Sequence, residues 1–203
     1  LVVSYNDSTE FEDGSVADLA LDKLVEVEGV VNSGGVLEAE SIEFEDSAAG
    51  EVTALVDAVD SAAGTVTVLG MTIAVNTNTR IDDDRSDVPS FSLADIVVGD
   101  YLELLLSSDG AGSLVALKLV RKSNESEIIV NAELEAADSI VMTVQLLGEN
   151  YDLSSNTIAF EDDQSDSVTA AEFFAALNVG DELKLLGSMV GGVLAIEEVA
   201  IED

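Results

Sequence analysis

An all-β chain of three tandem, small barrel units is the fold class this sequence predicts, and three observations predict it. The first is repetition. Ile96 to Lys122 reads IVVGDYLELLLSSDGAGSLVALKLVRK; a near relative, LNVGDELKLLGSMVGGVLAIEEVAIED, ends the chain, and a degenerate version, LALDKLVEVEGVVNSGGVLEAESIEFED, stands near its start. Repetition at this scale sets architecture before any single residue does. The second is alternation: within each copy apolar and polar residues exchange at period two, the signature of a half-buried strand. The third is punctuation, because Gly34-Gly35, Gly110 to Gly112 and Gly191-Gly192 divide each copy into two strands joined by a turn.

The elements follow in order. Leu1 to Asn6 alternates as a strand, with Leu1, Val3 and Tyr5 on one side, and Phe11 resumes apolar contact after a break at Asn6 to Thr9. Val16 to Leu21 suits a short helix. Lys23 to Val31 and Val36 to Phe44 form a hairpin, and the return strand needs a bulge if Leu37, Ala39, Ile42 and Phe44 are to share one face. A complete unit begins near Gly50, with strands at 51–58, 65–69 and 71–75, the last two divided by Gly70. An acidic loop at 82–87, a short helix at 92–97 and the hairpin Tyr101 to Leu106 with Leu114 to Val120 complete it. The third unit repeats the order: strands at 128–134, 140–147 and 150–153, a helix at 170–177, and closing strands at 182–186 and 193–201. Leu19, Ile96 and Leu177 recur at nearly equal spacing, and Thr9, Thr79 and Thr157 mark one strand end in each copy. The expected domains are 1–46, an incomplete repeat, then 50–122 and 126–203. Val25, Val27, Val52, Val66, Val68, Ile73, Leu102, Leu104, Ile128, Val130, Leu183 and Leu185 are the expected core.

Five strands with a short helix between the third and fourth is the order of a small oligonucleotide- or oligosaccharide-binding-type (OB-like) barrel, in which closure removes exposed sheet edges. The chain also resembles a family. Val98-Gly99-Asp100-Tyr101-Leu102-Glu103, Val179-Gly180-Asp181-Glu182-Leu183 and Lys23-Leu24-Val25-Glu26-Val27-Glu28-Gly29 are similar to the central L-x-V-G-D-x-V-E-V-x-G motif of a bacterial secreted repeat domain of unknown function, with Asp22 where a glycine is expected. The resemblance implies a β-barrel module of exported or surface proteins with no assigned catalytic residues.

Composition narrows the function classes. Of 203 residues 47% are apolar, enough for a packed interior, yet aromatics are only 4% and tryptophan is absent, so the cores must be Val, Leu, Ile and Ala. Seven bases against 42 acids give a formal charge of -35. A field of that sign repels nucleic acid and anionic membranes, and it predicts that the fold depends on screening cations. No apolar run is long enough to span a bilayer, so no membrane insertion is expected. The absence of cysteine removes disulfides and thiolate chemistry, and the absence of histidine removes a Ser-His-Asp relay. Lys23, Lys118, Lys122 and Lys184 read as solvated strand lysines; Lys118, Arg121 and Lys122 are expected to pair with nearby acids. An enzyme is not expected. Asn6-Asp7-Ser8 and Asn124-Glu125-Ser126 match the glycosylation acceptor pattern.

Calcium is the cofactor the loops point to. Asp82, Asp84 and Asp87 in one repeat and Asp162 and Asp163 in the next offer alternating oxygen ligands of the kind a hard cation takes, although both loops lack the glycine and terminal glutamate of an EF-hand. The first repeat lacks a counterpart of Gly50 to Gly70, about two strands, and an open barrel of that kind exposes an edge that invites a strand from another molecule. Leu1, Val3 and Tyr5 form the expected assembly edge. The expected function is therefore an extracellular structural protein, a subunit of a cell-surface filament or layer of identical subunits. The alternative is a monomeric secreted or surface-anchored module that binds calcium or a small soluble ligand.

Overall fold

The computed structural model describes residues 2–6, 8–12, 16, 19, 24–45, 48–85, 90–108, 113–123 and 126–202. Among the described residues strands dominate and the only α-helix is seven residues long, so the chain is all-β. It divides into two compact units, Leu1–Ser47 and Ala48–Asp203.

The first unit holds β1 (Val2–Ser4), β2 (Glu10–Glu12), β3 (Leu24–Val31) and β4 (Val36–Glu45). β4 organises it: β1 and β2 pair in parallel with its two halves, and β3 pairs with it antiparallel. The expected bulge is present, because Glu28 faces Ser41 and Gly29 faces Ala39, leaving Glu40 out of register. That one-residue slip brings Ala39 and Ile42 inward together, and both are buried. Phe11, Leu19, Val25 and Val27 pack against them half-buried, so the last two are not the full core positions expected. The reason is strand number: four strands cover this core, and among the described residues nothing stands for Gly50 to Gly70. Of the expected 16–21 helix only Val16 and Leu19 are described.

The second unit contains both complete repeats. The earlier one has β5 (Gly50–Asp60), β6 (Thr65–Val68), β7 (Met71–Ala74), β8 (Arg80–Asp83), β9 (Tyr101–Ser108) and β10 (Leu114–Lys122). Hydrogen bonding runs from β5 to β6 to β7, crosses in parallel to β10, and returns through β9 to β5. β8 continues along β10 beyond β7, where the Thr79 hydroxyl donates to the Ala116 carbonyl at 2.6 Å. Thr9 does the same to Ala39 at 2.9 Å. In the third repeat the buried Ile158 holds that position and Thr157 is exposed, so the expected threonine there is out by one residue. A single 3-10 turn at Leu93–Asp95 replaces the expected 92–97 helix.

The later repeat has β11 (Glu127–Glu133), β12 (Ala136–Asp138), β13 (Thr143–Leu146), β14 (Glu149–Asp152), β15 (Ala159–Glu161), β16 (Ser167–Val168), α1 (Ala170–Ala176), β17 (Glu182–Val190) and β18 (Val193–Glu202). Thr169 and Glu172 form a capping box that starts α1, and Phe173 anchors it in the core. Ile140 was expected in a strand and lies instead in a turn, 90% exposed. The Asp138 carboxylate accepts the Ile140 and Val141 amides at 2.8 and 3.2 Å, just as Asp60 accepts those of Ala62 and Ala63 at 3.0 and 2.9 Å. Met142 thereby takes a φ of 57° where Gly64 has 69°.

The largest correction concerns how the repeats join. Three separate barrels were expected, but the second and third repeats stack through one continuous 11-stranded sheet. β11 pairs antiparallel with β5, Val130 opposite Val52, flanked by Ile129 with Thr53, Asn131 with Glu51, and Ala132 with Gly50. Val52 and Val130 occupy equivalent places, facing Leu104 and Leu185 of their own repeats. The joint is therefore a local two-fold, each strand presenting the same edge to the other. Val52, Val66, Val68, Ile73, Leu102, Leu104, Ile128, Val130, Leu183 and Leu185 are all buried, as expected, but they belong to one cluster spanning both repeats and not to separate cores.

Gly50 tests the joint, because an added Cβ there would meet the Asn131 carbonyl oxygen at 2.5 Å and the Ala132 Cβ at 2.7 Å. Gly50→Val should cost about 1–3 kcal/mol, the usual range for overpacking. A urea midpoint measured beside the parent chain checks it, and an unchanged midpoint contradicts the close approach.

Candidate functional site

Two polar constellations and the strand edges are the parts of this chain with chemistry to offer. The first constellation is made by the parallel pairing of β8 with β10, which sets Asp83 opposite Arg121. The Arg121 guanidinium reaches Asp83 at 2.9 Å through Nε and 2.5 Å through Nη2. Its Nη1 lies 3.5 Å from Asp100, which Arg85 approaches at 3.0 Å, and the Phe91 ring lies beneath it at 4.2 Å from its centroid. Asp100 is placed by the Val-Gly-Asp turn. Gly99 takes a φ of 86°, Asp100 accepts the Val97 amide at 3.0 Å, and its own amide returns to the Val97 carbonyl at 3.0 Å. Asp181 makes the same turn with Asn178, the carboxylate accepting at 2.6 Å, with Gly180 at a φ of 96°. The Val-Gly-Asp motif is thus a structural corner.

Asp83 and Asp100 are almost wholly buried, so two cations shared between two carboxylates is an arrangement that loses much if one partner goes; breaking such a buried pair costs about 3–5 kcal/mol. The hydrogen bonds that Arg121 donates to Asp83 hold its pKa above the ordinary value, and those that Lys122 donates to Asp84 and Glu103 do the same for Lys122. Gln164, Ile201 and Glu202 stand where Arg85, Arg121 and Lys122 would be, so the third repeat has no such network.

The expected calcium ligands are not brought together. Asp82 pairs with Arg80 at 2.9 Å and Asp84 with Lys122 at 2.9 Å, while Asp87 lies outside the described residues. Asp162 accepts the Gln164 and Asp166 amides at 3.0 and 2.9 Å and so closes its own loop; Asp163 is exposed. Among the described residues no group of three or more carboxylates is placed to hold a metal ion. At the expected assembly edge Val3 pairs with Leu37 and Tyr5 packs edge-on against Phe11 at 5.7 Å, whereas Leu1 lies outside the described residues. One edge of β1 is therefore used by β4, and among the described residues its other edge and the outer edge of β3 have no strand partner.

The second constellation lies at the joint. Glu51 faces Asn131 across β5 and β11, and the Asn131 side-chain oxygen is buried without a hydrogen-bond partner among the described residues. The Tyr101 hydroxyl bridges the same joint by donating to the Glu127 carbonyl. Burial raises the Glu51 pKa, Glu103 raises it further, and Lys118, Lys122 and Lys184 pull the other way. Sequence reading missed this pair because Glu51 and Asn131 look like ordinary solvent-facing strand positions. It missed Tyr151 as well; aligning the repeats would have found it, since the apolar Ile73 stands at the equivalent place.

A raised carboxyl pKa means that the folded chain holds this proton more tightly than the unfolded chain. The cost is absent well below the ordinary glutamate range and is complete once pH rises past the folded value. Glu51→Gln removes the charge and supplies an amide donor beside Asn131. It should raise the urea midpoint at neutral pH, corresponding to about 1 kcal/mol of added stability for one gained hydrogen bond, and flatten the pH dependence at weakly acidic pH. Equal or lower stability at neutral pH contradicts this reading.

Among the described residues no helix is long and apolar enough to cross a membrane. No curated protein and no solved structure matches the chain. A family model described as a domain of unknown function (DUF5666) matches residues 1–43 and 49–119, more than half of the chain and nearly coincident with the first two repeats. The chain belongs to the DUF5666 family.

Proposed function

We propose that this chain is an extracellular structural protein that assembles with identical subunits, into a filament or layer, through β-strand edges. The observation that carries the reading is the joint between β5 and β11. There two complete repeats are held together by antiparallel strand pairing, with Val52 and Val130 fully buried at its centre. Strand edges are how this chain already connects one module to the next, and unpaired edges are the natural sites for adding another.

The two-fold character of that joint limits how assembly proceeds. A self-complementary contact closes on itself, so propagation requires a second and different edge. The outer edges of β1 and β3 in the first unit supply that need. Subunits carrying a formal charge of -35 repel one another, so cations must screen them before any edge can pair. Calcium enters this reading as the screening or bridging ion. A second reading, a monomeric surface module that takes calcium or a small soluble ligand, draws support for the small ligand from a cavity of about 370 Å³ between β14 and β18, lined by Tyr151, Met189, Leu194 and Ile196.

Negative-stain electron microscopy with multi-angle light scattering, in calcium and in sodium at matched ionic strength, tests the proposal. Regular fibres or sheets of this chain, formed faster in calcium, are expected. Monodisperse monomer in both ions at every concentration tried contradicts the structural reading and leaves the binding module.

A further inference from the structure

The three repeats differ at one edge. In the second repeat β7 lies parallel on β10, with Ile73 opposite Leu114 and Ala74 opposite Val115. In the first repeat β1 lies the same way on β4, with Val3 opposite Leu37 and Ser4 opposite Glu38. The equivalent strand of the third repeat is β14, which belongs to a separate three-stranded sheet with β12 and β13 and makes no ladder with β18. The equivalent positions are Tyr151 and Asp152 on β14, and Leu194 and Ala195 on β18.

Between these strands is a cavity of about 370 Å³, whose walls include Tyr151, Met189, Leu194 and Ile196. That volume lies within the range of about 300–1,000 Å³ typical of ligand sites. Tyr151, only 7% exposed, lines it, and its hydroxyl has no hydrogen-bond partner among the described residues. A buried hydroxyl without a partner costs about 1–3 kcal/mol, so the seam carries a donor that is not satisfied in the free chain. Burial and the nearby Glu149 hold this phenol protonated, which keeps it a donor.

We propose that the seam between β14 and β18 is an acceptor groove for an extended peptide segment bearing basic residues. The class of occupant follows from the other repeats, where the same edge of the equivalent strand is covered by an extended strand, and strand addition supplies main-chain hydrogen bonds with little sequence demand. The Tyr151 hydroxyl then donates to a carbonyl of the incoming segment. Its charge follows from the rim: Asp57, Glu149 and Asp152 line the cavity without a basic residue among its walls. A second copy of this chain brings 42 acids against seven bases, and a cationic segment is the better match. This groove is walled by the third repeat together with Asp57, Leu69 and Gly70 of the second and does not depend on the assembly edges, so it stands or falls separately from the assembly proposal.

The probe is a short, end-capped, fluorescently labelled peptide of alternating valine and threonine between two lysines, read by anisotropy against the full chain, beside a twin with glutamates in place of lysines. The lysine form should bind at least tenfold more tightly than the glutamate form. Tyr151→Phe should raise the thermal midpoint of the free chain, by removing the orphan hydroxyl, and weaken lysine-peptide binding about five- to tenfold, the loss of one hydrogen bond. Glu149→Lys should narrow or invert the preference between the two peptides. Absence of lysine-peptide binding overturns the proposal, as does binding indifferent to flanking charge or to both substitutions. Self-association of the parent chain that Tyr151→Phe abolishes also overturns it, because the groove would then take a second copy.

Discussion

Every unpaired strand edge leaves a row of backbone donors and acceptors without partners, and the architecture of this chain is the set of ways it meets that constraint. In the second repeat the pairings circle from β5 through β6, β7, β10 and β9 back to β5. The first half of β5 would still present one edge outward, and β11 covers it. Because β11 is the equivalent strand of the next repeat, a single local solution is used twice and both strands are satisfied by one contact. The two repeats share their core for the same reason: Val52 and Val130 meet at the centre of the joint and belong to one apolar cluster. The close approach needs Gly50 at one end, where any Cβ would strike Asn131 and Ala132.

Charge is the opposing term. With a formal charge of -35 the chain has very few cations to place, and the second repeat concentrates Arg85, Arg121 and Lys122 around Asp83, Asp84, Asp100 and Glu103. These contacts tie the loop after β8 to the Val-Gly-Asp corner before β9. The third repeat reaches the same corner with Asn178 and Asp181 alone, so the network adds to a geometry that backbone hydrogen bonds already define. Placing three of the seven bases here leaves the rest of the chain with a large excess of negative charge, which is the physical ground for expecting cation-dependent behaviour from the whole chain.

Local chemistry was legible in the sequence and long-range pairing was not. The Val-Gly-Asp corner could be read because only glycine takes a φ near 90° without strain and aspartate caps such a turn. The bulge in β4 could be read because Ala39 and Ile42 cannot share a face at strict period two. The turn at Ile140 to Met142 was misread, since three apolar residues continue a strand pattern and Met142 hides a left-handed position that Gly64 reveals in the other repeat. Three barrels were expected because nothing local to residues 50–53 or 129–132 names a partner; alternation identifies a strand but not what lies across its edge. Spacing alone pointed to five carboxylates as calcium ligands; Arg80, which holds Asp82, is two residues away on the same strand, whereas Lys122, which holds Asp84, comes into place only through the fold. Tyr151 was passed over because a single tyrosine in a strand carries no signal until it is set beside Ile73.

The central claim is the two-fold register of β5 on β11, and a cysteine-free chain allows it to be measured directly. Paired residues in antiparallel strands lie about 4.5–5.5 Å apart at Cα, within the span a disulfide bridges. Glu51→Cys combined with Asn131→Cys should form an intramolecular disulfide on mild oxidation, at a rate independent of protein concentration, whereas Glu51→Cys with Ile129→Cys, two positions out of register, should remain largely reduced. Preferential bridging of the second pair, or bridges formed only between molecules, would contradict the account.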